Sequence, residues 1–268
     1  MSKEIAPMEK ETPVTFGFDF LGGKDVMPVS GFYGPYPMPN SSMGRLTVNT
    51  VTEQVFADLA EAGVNHLSVF GWNMEREKEL ADLAFRCGEK YGIGITLNTS
   101  DADFSSVEAA DKYFKAYKEK YKSFVSYFVT DEPCGLDYLT GREIAVFVPF
   151  FDVLNEIGVF PYCNLLPIDG MEKREAYERY IDRYIELCKP WVLSYDHYIG
   201  SQTTDFVPYF YNMSIIREKA EKAGLPWWGF IGCGEDWFTC KTYDRPTESE
   251  FIWNINTTLA YGAKGLQY

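Results

Sequence analysis

The chain has 268 residues, of which 46% are hydrophobic and 24% charged, a composition typical of folded globular proteins and not of disordered or fibrous ones. Because 25 Lys and Arg stand against 39 Asp and Glu, the net charge of −14 disfavours binding to nucleic acid or to an anionic membrane surface. No apolar run approaches the roughly 18 residues of a membrane span, so the sequence predicts a soluble cytoplasmic protein, or a secreted one if a leader has been removed.

Along the chain, apolar segments rich in β-branched and aromatic residues alternate with longer segments of helical period. The predicted strands occupy residues 29–36, 66–72, 93–99, 124–130, 159–166, 191–198, 227–233 and 266–268. The predicted helices between them occupy residues 50–62, 75–90, 106–120, 141–157, 171–188, 211–223 and 248–261. Strand ends recur about every 33 residues, which is the length of one βα unit.

Eight strands in strict alternation with helices predict an α/β fold of the (β/α)₈ TIM barrel type. We expect one barrel domain over residues 28–268, preceded by an N-terminal arm over residues 1–27. An open doubly wound sheet is the competing fold, but it would carry a Gly-rich phosphate turn after its first strand, and Gly34-Pro35-Tyr36-Pro37 does not fit that pattern. The eighth predicted strand reaches the last residue, so the eighth helix is expected to be absent, either through truncation or because the arm takes its place.

Cysteine and histidine usage argues against a metal site, and no organic cofactor is expected either. The six cysteines form no Cys-x-x-Cys pair, which favours reduced thiols. Only His66 and His197 are present, which excludes a His-rich zinc or iron site. The aromatic content of 17% is the one compositional feature that favours a function, because aromatic rings stack on sugars as well as filling cores.

In a barrel of this type the functional groups lie at the carboxyl ends of the strands. The aromatic, amide and acidic residues predicted at these ends to bind substrate are Tyr33, Tyr36, Trp72, Asn98, Asn164, Tyr195, Asp196, His197, Tyr198 and Trp237. No lysine occupies a predicted strand end, which argues against Schiff-base aldolases and phosphate-binding barrels. His66, at the opposite end of its strand, is predicted to be structural.

The fourth strand ends in Asp131-Glu132-Pro133. If side chains alternate regularly, Glu132 shares a face with Phe128 and Thr130 and rises into the barrel mouth, whereas Asp131 lies on the other face. The alternative is that the three residues begin a helical turn, since Asp is a good cap and Pro is tolerated in a first turn.

This strand end resembles that of the retaining clan A glycosidases, whose fourth strand ends in Asn-Glu-Pro. The resemblance implies that Glu132 is the general acid/base and that Glu235, after the seventh strand, is the nucleophile. Such a pair of carboxyl groups can cleave a glycosidic bond with retention. Two departures from the family pattern are Asp131 in place of the Asn and the Gly232-Cys233-Gly234 sequence before Glu235.

Two alternatives remain open. The Asp131-Glu132 pair also resembles the motif of N-acetylhexosaminidases that use substrate assistance, which implies that Glu132 protonates the leaving group while Asp131 orients the acetamido group of the substrate. A non-catalytic sugar-binding barrel would keep the aromatic mouth without a functional carboxylate pair. In each case the expected partner is a small-molecule carbohydrate.

Overall fold

The computed structural model describes residues 26–32, 34–35, 50–72, 78–99, 106–133, 142–168, 174–198, 206–233 and 246–268. The strands are β1 (Val29–Gly31), β2 (His66–Trp72), β3 (Gly94–Thr99), β4 (Phe124–Asp131), β5 (Phe160–Leu165), β6 (Leu193–Tyr195), β7 (Trp227–Phe230) and β8 (Gly265–Gln267). The helices are α1 (Glu53–Glu61), α2 (Lys78–Tyr91), α3 (Val107–Lys120), α4 (Arg142–Glu156), α5 (Arg174–Cys188), α6 (Phe206–Ala223) and α7 (Glu248–Ala260). The part of the predicted N-terminal arm before residue 26 lies outside the described residues.

The eight strands form a closed parallel barrel in chain order, which confirms the predicted (β/α)₈ class. Closure is made by β8, which pairs with β1 through Val29 and Leu266 and with β7 through Trp228 and Gly265. Because every strand has a neighbour on both sides, the barrel has no open edge.

Side-chain caps fix the beginnings of several helices. The Thr52 hydroxyl accepts a hydrogen bond from the Val55 amide at 3.3 Å at the start of α1. At α7, Thr247 and Glu250 form a reciprocal capping box. Each cap satisfies an amide that the helix itself leaves without a partner, so the helices begin near the predicted positions.

Helix α6 begins at Phe206, earlier than the sequence pattern predicts. Its first turn carries Phe206 and Val207, which are exposed, so this turn lacks the buried stripe on which the prediction depended. Pro208 is tolerated there because the first turn does not need its amide.

Aromatic side chains fill the inside of the barrel. Phe32, Phe128, Phe160, Tyr162, Val192, Trp228 and Phe230 form one buried cluster. A large share of the aromatic residues therefore serves packing, and Trp228, 1% exposed, is part of this filling rather than a stacking platform at the mouth.

Below this cluster, at the amino ends of the strands, His66 lies between two hydroxyl groups. Its Nδ1 is 2.8 Å from Ser30 Oγ and its Nε2 is 2.7 Å from Thr96 Oγ1. Burial lowers the pKa of His66 to about 3, so the ring is neutral. The predicted structural role of His66 is consistent with this position.

Candidate functional site

Two carboxyl groups reach the barrel mouth from the end of β4. Pairing between β4 and β5 shifts by one residue between Phe128 and Thr130, so that Asp131 lies opposite Asn164. This β-bulge breaks the regular alternation, and Asp131 therefore turns to the inner face of the barrel. The predicted outward direction of Asp131 is wrong for this reason.

Glu132 follows directly, with a backbone φ of 41°. This left-handed conformation is unfavourable for a residue with a side chain and is found mainly where surrounding contacts enforce it. Here the Glu132 amide donates a 2.8 Å hydrogen bond to the Asn164 carbonyl, and Pro133 follows. Strand β4 extends through Asp131 and residues 132–133 are not helical, so the helical-turn alternative does not hold.

Asn164, near the end of β5, connects the acidic groups of two strands. Its Nδ2 atom donates to Asp196 Oδ1 at 2.7 Å and lies 3.4 Å from Asp131 Oδ1. Asp196, just after β6, is in turn hydrogen bonded to the Glu132 carboxyl group. We call Asp131, Glu132 and Asp196 the carboxyl cluster.

The surroundings of the carboxyl cluster raise the proton affinity of all three groups. Burial and the charge of Asp196 raise the pKa of Asp131 to about 6, although Asn164 and the Glu132 amide oppose the change. Burial, followed by the charge of Glu132, raises the pKa of Asp196 to about 7. Burial and the charge of Asp131 also raise the pKa of Glu132. Since like charges in close contact cannot all ionise easily, the cluster retains a proton near neutral pH.

A retained proton beside an ionised carboxylate gives this mouth a general acid and an anionic group in the same place. Within the described residues, no group of three or more His, Cys, Asp or Glu side chains has an arrangement suited to a metal ion. A proton shared among neighbouring carboxyl groups is suited to proton transfer and to stabilising positive charge.

Besides Asn164 and Asp196, two more of the predicted substrate-binding residues, Tyr198 and Asn98, lie on the inner side of the strand ends. Tyr198 packs edge-on against Phe230 with 6.2 Å between ring centroids and remains partly exposed. Asn98 is half-buried at the end of β3, two residues after the inward-facing Thr96.

Tyr195 and His197 point the other way. The Tyr195 ring is 6.1 Å from that of Trp227, and the His197 ring is 5.6 Å from that of Tyr209 on α6. Both side chains are buried in the layer between strands and helices, so the structure does not bring them to the mouth. The physical reason is alternation, because Ser194 and Asp196 take the inward positions of this segment.

Several predicted site residues cannot be located in the same way. Tyr33, Tyr36, Glu235 and Trp237 lie outside the described residues, and Trp72 is described only in its backbone. Their assignments stay predictions.

Three buried residues below the cluster were not predicted. Ser194, Tyr162 and Gln267 form a hydrogen-bonded chain that ends on Asn164. The sequence does show a polar residue in each of these three strands. Whether such a residue faces the barrel interior depends on the register of the strands, which the sequence does not specify.

Solved structures of low sequence identity share the fold of this chain. A candidate alpha-L-fucosidase from Bacteroides thetaiotaomicron superposes with a TM-score of 0.60 at 14% identity, covering 90% of this chain and 87% of that one. A GH99 endo-alpha-mannosidase from the same organism has a TM-score of 0.52 at 14% identity, covering 92% of this chain and 72% of that one. The citrate synthase SbnG has a TM-score of 0.51 at 12% identity, covering 96% and 90%.

At such identities the likeness establishes the barrel and leaves the reaction undecided, since one barrel fold supports many chemistries. No protein-family model matches the chain, and no curated protein matches it in sequence. Among the described helices, none has the length and apolar character needed to cross a membrane.

Proposed function

We propose that this protein is a glycoside hydrolase in which Glu132 protonates the leaving oxygen of a carbohydrate substrate. The observation that carries the proposal is the carboxyl cluster, where burial and neighbouring charge keep a proton near neutral pH. Glycosidic cleavage requires a protonated carboxyl group together with an anionic partner near the oxocarbenium-like carbon. The fucosidase-like and mannosidase-like neighbours agree with this assignment at the level of fold.

In the preferred mechanism, Glu235 is the nucleophile and Glu132 the acid/base. The proposal depends on the resemblance of Asp131-Glu132-Pro133 to the Asn-Glu-Pro motif and on the position of Glu235 after β7. Asp196 then has the role of tuning Glu132, because the two carboxyl groups share a hydrogen bond. Tyr198 and Asn98 would contact the sugar.

The bulge in β4 favours a second mechanism. It turns Asp131 inward beside Glu132, as substrate assistance requires, and Asp131 has an exposed side that a substrate can reach. In this mechanism an acetamido group of the substrate attacks the anomeric carbon while Asp131 stabilises the resulting positive charge. No nucleophilic glutamate is then needed.

Replacement of the acid tests the proposal. We expect Glu132→Gln to lower kcat/KM about 10²–10⁴-fold on glycosides with poor leaving groups and much less on activated aryl glycosides, because only the former need protonation. Steady-state kinetics on both substrate types measure the difference. Glu186→Gln on the exposed surface of α5 is the control, and its rates should equal those of the wild type. Equal, small losses on both substrate types would place Glu132 outside the chemistry.

A second pair of variants separates the mechanisms. If Glu235 is the nucleophile, Glu235→Ala should abolish turnover, azide should restore part of it, and a 2-fluoro glycoside should trap a covalent adduct on the wild type. If the substrate assists, Glu235→Ala should be mild, Asp131→Asn severe, and only N-acetylated sugars cleaved. A protein that binds sugars but hydrolyses none of a full hexoside panel would contradict both mechanisms and favour a sugar-binding barrel.

A further inference from the structure

A buried chain of hydrogen bonds links the barrel interior to the carboxyl cluster. Gln267 on β8 donates through Nε2 to Tyr162 OH at 2.8 Å and to Ser194 Oγ at 2.8 Å. Tyr162 OH is 2.9 Å from Ser194 Oγ, and Ser194 Oγ donates to Asn164 Oδ1 at 3.1 Å. All four residues are at most 2% exposed, so water does not compete for these bonds.

The donor direction of the chain follows from the chemistry of its two ends. Carboxylates accept hydrogen bonds, so the Asn164 amide must turn its Nδ2 group toward Asp131 and Asp196. Its Oδ1 then needs a donor, and Ser194 supplies the single hydroxyl proton that it has. Ser194 can consequently only accept from Tyr162 and Gln267. The Ser194 and Gln267 donors point toward the carboxyl cluster, whereas the single Tyr162 hydroxyl proton can go either to Ser194 Oγ or to Gln267 Oε1, which is 3.0 Å away.

We propose that Ser194, Tyr162 and Gln267 are positioning residues that hold the Asn164 amide with its N–H groups directed at Asp131 and Asp196. Without the Ser194 donor, Asn164 Oδ1 loses its hydrogen bond and only the carboxyl groups hold the amide, so its N–H groups are directed at Asp131 and Asp196 less firmly. We call Gln267, Tyr162, Ser194 and Asn164 the relay. The relay therefore influences the pKa values of the carboxyl cluster. Only the kinetic part of the test below rests on the proposed function.

The sign of the effect is fixed by the groups around the cluster. Asn164 stabilises the ionised forms of Asp131 and Asp196 and so lowers their pKa values. Among the described residues, the other titratable groups that interact electrostatically with the cluster are Tyr162, Cys163, Tyr177 and Tyr195. Burial raises the pKa of each of these four, so they are neutral across the working range. Loss of the Asn164 N–H bonds must then move the titration of the cluster to higher pH.

The test compares three variants, each of which lacks one buried side-chain hydroxyl group. Ser194→Ala and Tyr162→Phe remove donors of the relay, whereas Ser30→Ala removes an equally buried serine hydroxyl that bonds His66 instead. Carbon-13 NMR follows the side-chain carboxyl carbons of Asp131, Glu132 and Asp196 against pH. Profiles of kcat/KM against pH are recorded on an activated aryl glycoside.

We expect Ser194→Ala to raise the apparent pKa values of the cluster by about one pH unit, about tenfold in proton affinity. Tyr162→Phe should move them the same way but less, because Gln267 still donates to Ser194. Ser30→Ala should leave them in place, and the pH profile should move with the NMR titration.

Each outcome decides one proposal. Unchanged carboxyl titration in Ser194→Ala and Tyr162→Phe, or an equal change in Ser30→Ala, would overturn the relay whether or not the enzyme hydrolyses glycosides. If the variants raise the pKa values of the cluster but the wild-type protein hydrolyses no glycoside, the relay is supported and the proposed function is wrong. If Ser194→Ala fails to fold, Tyr162→Phe alone decides, since it deletes one oxygen from a ring that keeps its shape.

Discussion

The raised pKa of Asp196 results from contacts among three neighbouring strands. By itself an aspartate after a strand is an ordinary acidic side chain. In the barrel it accepts from Asn164 of β5 at 2.7 Å and shares a hydrogen bond with Glu132 from the end of β4. Burial and the nearby carboxylate disfavour its ionised form, so it carries a proton at a pH where a surface aspartate would not.

The same interactions predict a pH-dependent cost to stability. In the folded protein the pKa values of Asp131 and Asp196 are raised to about 6 and about 7, whereas in the unfolded chain they return to about 3.9. The folded state therefore binds more protons between about pH 4 and 7, and the contribution of the cluster to stability falls as pH rises through that window.

We expect Asp196→Asn to stabilise the protein at pH 8 by on the order of 1–3 kcal/mol and to have little effect at pH 4.5. Urea unfolding of both proteins at the two pH values measures the difference. Glu186→Gln on the surface should change the free energy of unfolding by a small amount that is similar at both pH values. Equal destabilisation by Asp196→Asn at both pH values would contradict the expected sign.

At the scale of elements, the β4 bulge is the feature that assembles the site. A regular strand would direct Asp131 toward the helices, where Val129 and Tyr127 pack. The one-residue shift against β5 instead brings Asp131 level with Asn164. Bulges next to functional sites re-aim side chains in this way.

The junction of β7 and β8 depends on a glycine. A Cβ atom on Gly265 would lie 2.5 Å from Trp228 Cδ1, near the base of a ring that is 1% exposed and enclosed by the interior cluster. We expect Gly265→Ala to destabilise the protein by about 1–3 kcal/mol, because the ring has no room to move away. Thermal or urea unfolding measures this loss.

The double variant Gly265→Ala with Trp228→Ala is the control for that explanation. Removing the ring frees the space next to Gly265, so the loss from both changes should be less than the sum of the two single losses. Strict additivity would show that the cost of the Cβ atom arises elsewhere.

At the scale of the whole molecule, the fold could largely be predicted from the sequence because the strand patterns, helix patterns and helix caps all indicate the same barrel. The predicted and observed bounds of β2 coincide at His66 and Trp72, and α3 and α7 begin within one residue of their predicted starts. Period-2 and period-3.6 patterns, Gly at helix ends and side-chain caps are all local properties, so the sequence suffices to predict them. Strands β6 and β7 are clearly shorter than predicted, and β3 and β5 are shorter by one or two residues.

The amino-acid sequence by itself determined the barrel, the acidic end of β4 and the structural place of His66, since each follows from neighbours along the chain. The tertiary structure alone decided that Asp131 faces inward, that Tyr195 and His197 face the helices, and that Asn164 and Asp196 complete the carboxyl cluster. It also decided that Gln267, 105 residues from Tyr162, supports the cluster from below. These facts depend on register and on contacts between distant strands, and a shift of one residue exchanges the two faces of a strand without any change in the local pattern.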